Sequence, residues 1–141
     1  MTSIENKDLA SAEEKSESTS ESKTTKCILI YEDDAEILIL CRMLLEKENY
    51  RVETLAKCDN VLNDIALIKP DLILMDLWIP EIGGERAVTI LKENKISRHI
   101  PVLLFSANDK IKEISAHVKA DGYISKPFDI NDFKEIIAKN I

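Results

Sequence analysis

The chain has 141 residues, 45% of them hydrophobic and 32% charged, and a formal net charge of −7. That leaves room for one ordinary domain with a normal core, and the charge has the wrong sign for duplex nucleic acid or an anionic membrane surface. No apolar run approaches the ~18 residues of a membrane span, no basic-then-apolar start marks a secretory signal, and Cys27, Cys41 and Cys58 lack CxxC spacing, so a disulfide framework is not expected and the cytoplasm is.

Residues 1–25 read as a solvated tail: from Ser11 to Thr25 the chain is almost entirely Ser, Thr, Glu and Lys and cannot bury enough apolar surface to offset ordering entropy. From Lys26 the texture changes. Cys27 to Tyr31 is a continuous apolar run, as expected of a strand covered on both faces. Ile37, Cys41, Leu44 and Leu45 fall on one side of a helix that Asp34 can cap, with Asn49 suited to the left-handed turn after it. Arg51 to Leu55 is a short strand, and Val61, Leu62, Ile65 and Ile68 form a helical face stopped by Pro70.

Leu72 to Met75 is a second buried strand, and Gly83-Gly84 opens a helix bearing Ala87, Val88 and Leu91. Val102 to Phe105 and Gly122 to Ile124 are further strands, separated by a helix with Ile111, Ile114 and Val118. Asp129 caps a closing helix that turns Phe133, Ile136 and Ile137 inward. Short strands alternating with helices over short loops define an α/β, doubly wound parallel sheet.

In such a sheet right-handed crossovers bring the carboxyl ends of all strands to one rim, where ligands bind. Glu32 and Asp33 follow the first strand, Asp76 ends the third, Ser106 follows the fourth and Lys126 follows the fifth. Carboxylates gathered there repel; at ~4 Å and an effective dielectric of about 20 each pair costs about 4 kcal/mol. A hard divalent cation relieves that repulsion, and an all-oxygen donor set selects Mg²⁺, or alternatively Mn²⁺. Lys126 and Ser106 are suited to a phosphoryl group, which brings three acceptor oxygens and negative charge to Asp76.

The ordered set Ile28-Leu29-Ile30-Tyr31-Glu32-Asp33-Asp34, Asp71 to Pro80 around Asp76, Pro101 to Ala107 around Ser106, and Tyr123-Ile124-Ser125-Lys126-Pro127-Phe128 resembles the receiver domain of two-component response regulators, from about Lys26 to Ile141. The resemblance implies a flavodoxin-like (βα)5 fold with strand order 2-1-3-4-5, for which a chemotaxis receiver is a standard example. It implies Asp76 as phosphoacceptor; Glu32, Asp33, Asp76 and the main-chain carbonyl of Trp78 around the metal, with Glu32 more often acting through water; and a cis Lys126–Pro127 bond. Ser106 and Lys126 would bind the phosphoryl group, Ser106 and Tyr123 would form the switch, and Trp78 and Asn108 would tune dephosphorylation.

The partners implied are a sensor histidine kinase or histidine phosphotransfer protein and a downstream effector, with no nucleic acid and no membrane insertion. No output domain is expected after the fifth helix. The chain is then a stand-alone phosphorelay component, not an enzyme beyond catalysing its own phosphorylation and dephosphorylation. Departures from the family pattern are Tyr31, where a small aliphatic is usual beneath the site, Lys119 in place of a frequent glycine, and a short stretch from Ser106 to Tyr123. Two alternatives compete. A phosphorylation-independent pseudo-receiver should have lost an acidic residue or the lysine, and an aspartyl-phosphate phosphatase wants an acid where Trp78 stands.

Overall fold

The structure, a computed structural model, describes residues 24–78 and 83–141. The tail expected over residues 1–25 therefore lies almost wholly outside the described residues, as does Pro80. Five strands, β1 (Cys27–Tyr31), β2 (Arg51–Leu55), β3 (Leu72–Asp76), β4 (Val102–Ser106) and β5 (Gly122–Ser125), form one parallel sheet in the order β2-β1-β3-β4-β5. Helices α1 (Ala35–Lys47), α2 (Val61–Ile68), α3 (Gly84–Glu93), α4 (Ile111–Val118) and α5 (Ile130–Asn140) supply the crossovers.

The pleat sorts the apolar runs into two cores, because successive side chains point to opposite faces. Leu29, Tyr31, Ile73, Met75, Val102 and Leu104 face α2, α3 and α4, where Val61, Ala87, Leu91 and Ile111 meet them. Ile28, Ile30, Leu74, Leu103 and Phe105 face α1 and α5, which contribute Cys41, Leu45, Phe133 and Ile137. Every residue of β1, β3 and β4 is buried, which is why these segments are continuously apolar up to Asp76 and Ser106, which end β3 and β4, instead of alternating.

Local signals behave as their chemistry dictates. Asp34 accepts from the Glu36 and Ile37 amides and Asp129 from the Asp132 amide, so both expected caps are made. Asn49 takes φ 70°, and Lys119, at the position where glycine is frequent, takes φ 63°. A β-unbranched side chain tolerates that turn at modest cost. Helix α4 is short, eight residues. Leu62 corrects the helical face read from sequence: Val61 and Ile65 are buried, but Leu62 is 39% exposed at the edge of α2. Among the described residues no helix is long and apolar enough to cross a membrane.

Candidate phosphoacceptor site

Glu32, Asp33 and Asp76 converge at the carboxyl rim because β1 and β3 are neighbours in register, Tyr31 beside Met75, with both acidic turns following directly. One oxygen from each carboxylate lies within 4.8 Å of the others. Glu32 and Asp76 are buried, 1% and 3% exposed, while Asp33 opens to solvent. Asp76 Oδ1 accepts the Trp78 N–H at 3.1 Å, which fixes the carboxylate's orientation.

Lys126 reaches this cluster from the turn after β5. Its Nζ lies 2.7 Å from Glu32 Oε1, 3.8 Å from Asp76 Oδ1, and 4.5 Å from the centre of the Phe105 ring. The ammonium is thus already neutralising the buried carboxylates, with the ring face as an extra apolar and cation–π support. Its backbone N–H donates to Ser106 O at 2.9 Å, tying the turn to the end of β4, and the Lys126–Pro127 bond is cis, as the resemblance implied.

Glu32 has a second structural task that its position in the sequence does not disclose: Oε2 accepts the Asp34 N–H at 3.1 Å, bracing the start of α1. Burial holds the Glu32 carboxyl above the ordinary range; Lys126 pulls it back, and the Asp76 carboxylate beside it pushes it up again. An all-oxygen set of crowded carboxylates, without nitrogen or sulfur donors, suits a hard cation such as Mg²⁺ better than a transition metal.

Ser106 is fully buried; its Oγ accepts the Asn108 N–H at 3.0 Å, which leaves the hydroxyl proton available for donation. Asn108 Oδ1 in turn accepts the Lys110 N–H at 2.8 Å, committing the side-chain carbonyl to the turn before α4. Tyr123 is half-buried against the α2–α4 core, and Trp78 is 67% exposed at the mouth of the site. Tyr31, the departure named beneath the site, packs its ring in the α2–α4 core, and its hydroxyl donates to Asp64 Oδ2 at 2.7 Å.

Sequence reasoning missed Gly84. A Cβ there would press on the Asp76 carbonyl and come within 2.8 Å of Leu77 Cα, so only glycine lets α3 lie against the backbone of Asp76. The signal was present in the Gly83-Gly84 pair, but it reads equally well as an ordinary helix start.

A doubly wound parallel sheet with an acidic, lysine-capped cluster at its carboxyl rim defines a class of phosphate-handling signalling domains. Residues 28–138 match the response regulator receiver domain, and the chain belongs to that family. It is 34% identical over 116 residues to the polar-differentiation response regulator DivK of Brucella ovis, covering 80% of this chain and 94% of DivK. It is 31% identical over 105 residues to the alkaline phosphatase synthesis transcriptional regulatory protein PhoP of Bacillus subtilis, covering 73% of this chain and 43% of PhoP. The chain thus spans less than half the length of that regulator. The fold is shared with a putative response regulator from Chloroflexus aurantiacus at TM-score 0.78 and 20% identity, covering 82% of this chain and 97% of the other.

Proposed function

We propose that residues 26–141 act as a phosphoacceptor that takes a phosphoryl group from a partner's phosphohistidine onto Asp76 and presents the change to a downstream protein. The observation that supports this most is the meeting of buried Asp76 with Glu32, Asp33 and Lys126 at one rim. Asp76 Oδ1 is held by the Trp78 amide, leaving the second carboxylate oxygen to attack phosphorus in line. The new O–P bond forms as the N–P bond to the partner's imidazole breaks, and that bond's electron pair stays on the imidazole nitrogen.

Glu32, Asp33, Asp76 and the Trp78 carbonyl would hold Mg²⁺, whose contribution when bound is neutralisation of charge on the transferring phosphoryl oxygens. Lys126 and the Ser106 hydroxyl supply ammonium and hydroxyl donors to the same oxygens. Phosphorylation then favours arrangements in which Ser106 approaches Asp76 and Tyr123 sinks deeper into the core it already touches, a population shift that alters the nearby surface. A docking-only module sharing this fold would need none of these groups.

Asp76→Asn is isosteric and should leave the fold intact while abolishing incorporation of base-labile phosphate from acetyl phosphate or from a histidine kinase. Wild-type incorporation in that variant would remove Asp76 from the role.

A further inference from the structure

A second concave feature lies on the far side of the molecule from Asp76. An apolar groove of about 400 Å³ runs between α2 and the α3–β4 turn, lined by Leu62, Ile65, Pro70, Ile96 and Ile100, with Lys69 and His99 at its edge. Its apolar lining reaches the surface: Ile96 is 80% exposed and Leu62 39%. Lys95 and Arg98 stand in the same turn, and neither they nor Lys69 make an ion pair among the described residues. On a chain of net charge −7, an apolar slot with an uncompensated basic rim asks for an acidic, partly apolar occupant.

We infer that the groove is a docking site for the chain's own amino-terminal segment around Ile4 and Leu9. Three observations favour that occupant. Residues 1–23 carry six carboxylates against three lysines, and Glu5 and Asp8 lie between Ile4 and Leu9, the large apolar residues of the segment apart from Met1. The described chain begins beside the groove: the Cys27 N–H donates to Asp71 Oδ2 at 2.7 Å and the Asp71 N–H returns to Cys27 O at 2.7 Å, one residue from groove-lining Pro70. The intervening Ser/Thr/Glu/Lys stretch is a suitable tether. A polar linker of about 18 residues, the separation of Leu9 and Cys27, would have a root-mean-square span of about 23 Å, which gives an effective concentration in the millimolar range. Weak apolar contacts and charge attraction suffice at that concentration, whereas an acidic peptide in trans must bind far more tightly to compete.

Paramagnetic relaxation in the full chain tests this. The native thiols Cys27, Cys41 and Cys58 are buried, so a nitroxide can be placed selectively on Ser11→Cys. Methyl signals of Leu62, Ile96 and Ile100 should lose most of their intensity, while those of Ile130, on another surface, should keep theirs. Ile96→Asp, at an 80% exposed position, should restore the Leu62 and Ile100 signals, and high salt should restore all three. Groove signals that keep their intensity in the wild-type chain, or broadening that persists unchanged in Ile96→Asp, would overturn the inference. So would broadening that survives when label and isotope are on different molecules, which would assign the groove to a second copy.

Discussion

Lys126 holds two carboxylates at once, and its removal should separate their structural and chemical demands. Glu32 is 1% exposed and its principal cation would be gone in Lys126→Ala. The variant should lose about 2 kcal/mol without metal, a value discounted for the lysine's partial exposure, and regain part of it in Mg²⁺. Urea midpoints in EDTA and in Mg²⁺ measure both; equal losses in the two conditions would mean that the ammonium does not compensate the cluster. Trp78 poses a different question. Its large apolar face stands at the mouth of the site without an acid or base, and Asn108 has spent its carbonyl on Lys110. Hydrolysis of the acyl phosphate should be slow, and Trp78→Ala should accelerate it about tenfold, equivalent to about 1.4 kcal/mol of barrier. Decay no faster than wild type in Mg²⁺ would remove the indole as a shield.

At the scale of elements, α3 is set by contact with the Asp76–Leu77 backbone more than by its own sequence. Gly84→Ala should cost at least ~2 kcal/mol and weaken phosphate incorporation more than its stability loss explains, because α3 and the Asp76–Trp78 turn cannot both keep their places. Rates compared at a temperature where both proteins are fully folded would check this, and an unchanged rate would show that the helix yields instead. The strands were legible in the sequence because burial on both faces leaves little room for polar residues in β1, β3 and β4. The rim followed from their parallel order. Other features depend on distances between segments far apart in the chain. Lys126 was assigned to a phosphoryl group, yet its present partner is Glu32, 94 residues away. Asp71 and Asp121 each precede a strand and accept the first N–H of a neighbouring one, Cys27 at 2.7 Å and Val102 at 2.8 Å; before pairing is known they look like loop aspartates. Helix α1 is apolar over much of its circumference, yet its period already separated the face of Ile37, Cys41, Leu44 and Leu45, where Cys41 and Leu45 are buried, from exposed Ile39 and Met43.

Across the whole molecule, the buried thiols tie stability to alkaline pH. Burial pushes Cys41 up to about 12 and Cys58 up to about 11, with the nearby Glu32 charge adding to the first and Asp59 and Asp64 to the second. In the unfolded chain both ionise near 9.0, so between that value and their native values the folded state binds more protons. Their contribution is complete below pH ~9 and is lost as pH rises towards 11 and 12. Urea midpoints should therefore fall over that range, and Cys41→Ala should flatten the slope whatever it does to stability at neutral pH. An identical slope in the variant would place the alkaline loss elsewhere.

The bond from the Lys126 N–H to Ser106 O has a mechanical meaning as well as a structural one. By alternation along the strands, Glu32, Asp76 and Lys126 lie towards the α1–α5 side of the sheet, whereas Ser106 and Tyr123 lie towards α2–α4. Where the approach of the hydroxyl to Asp76 shifts the Ser106 backbone, the bond from its carbonyl carries the Lys126 backbone with it. The ends of β4 and β5 that present the hydroxyl and the ammonium are thereby joined through one main-chain bond, so a displacement of one strand end is passed to the other.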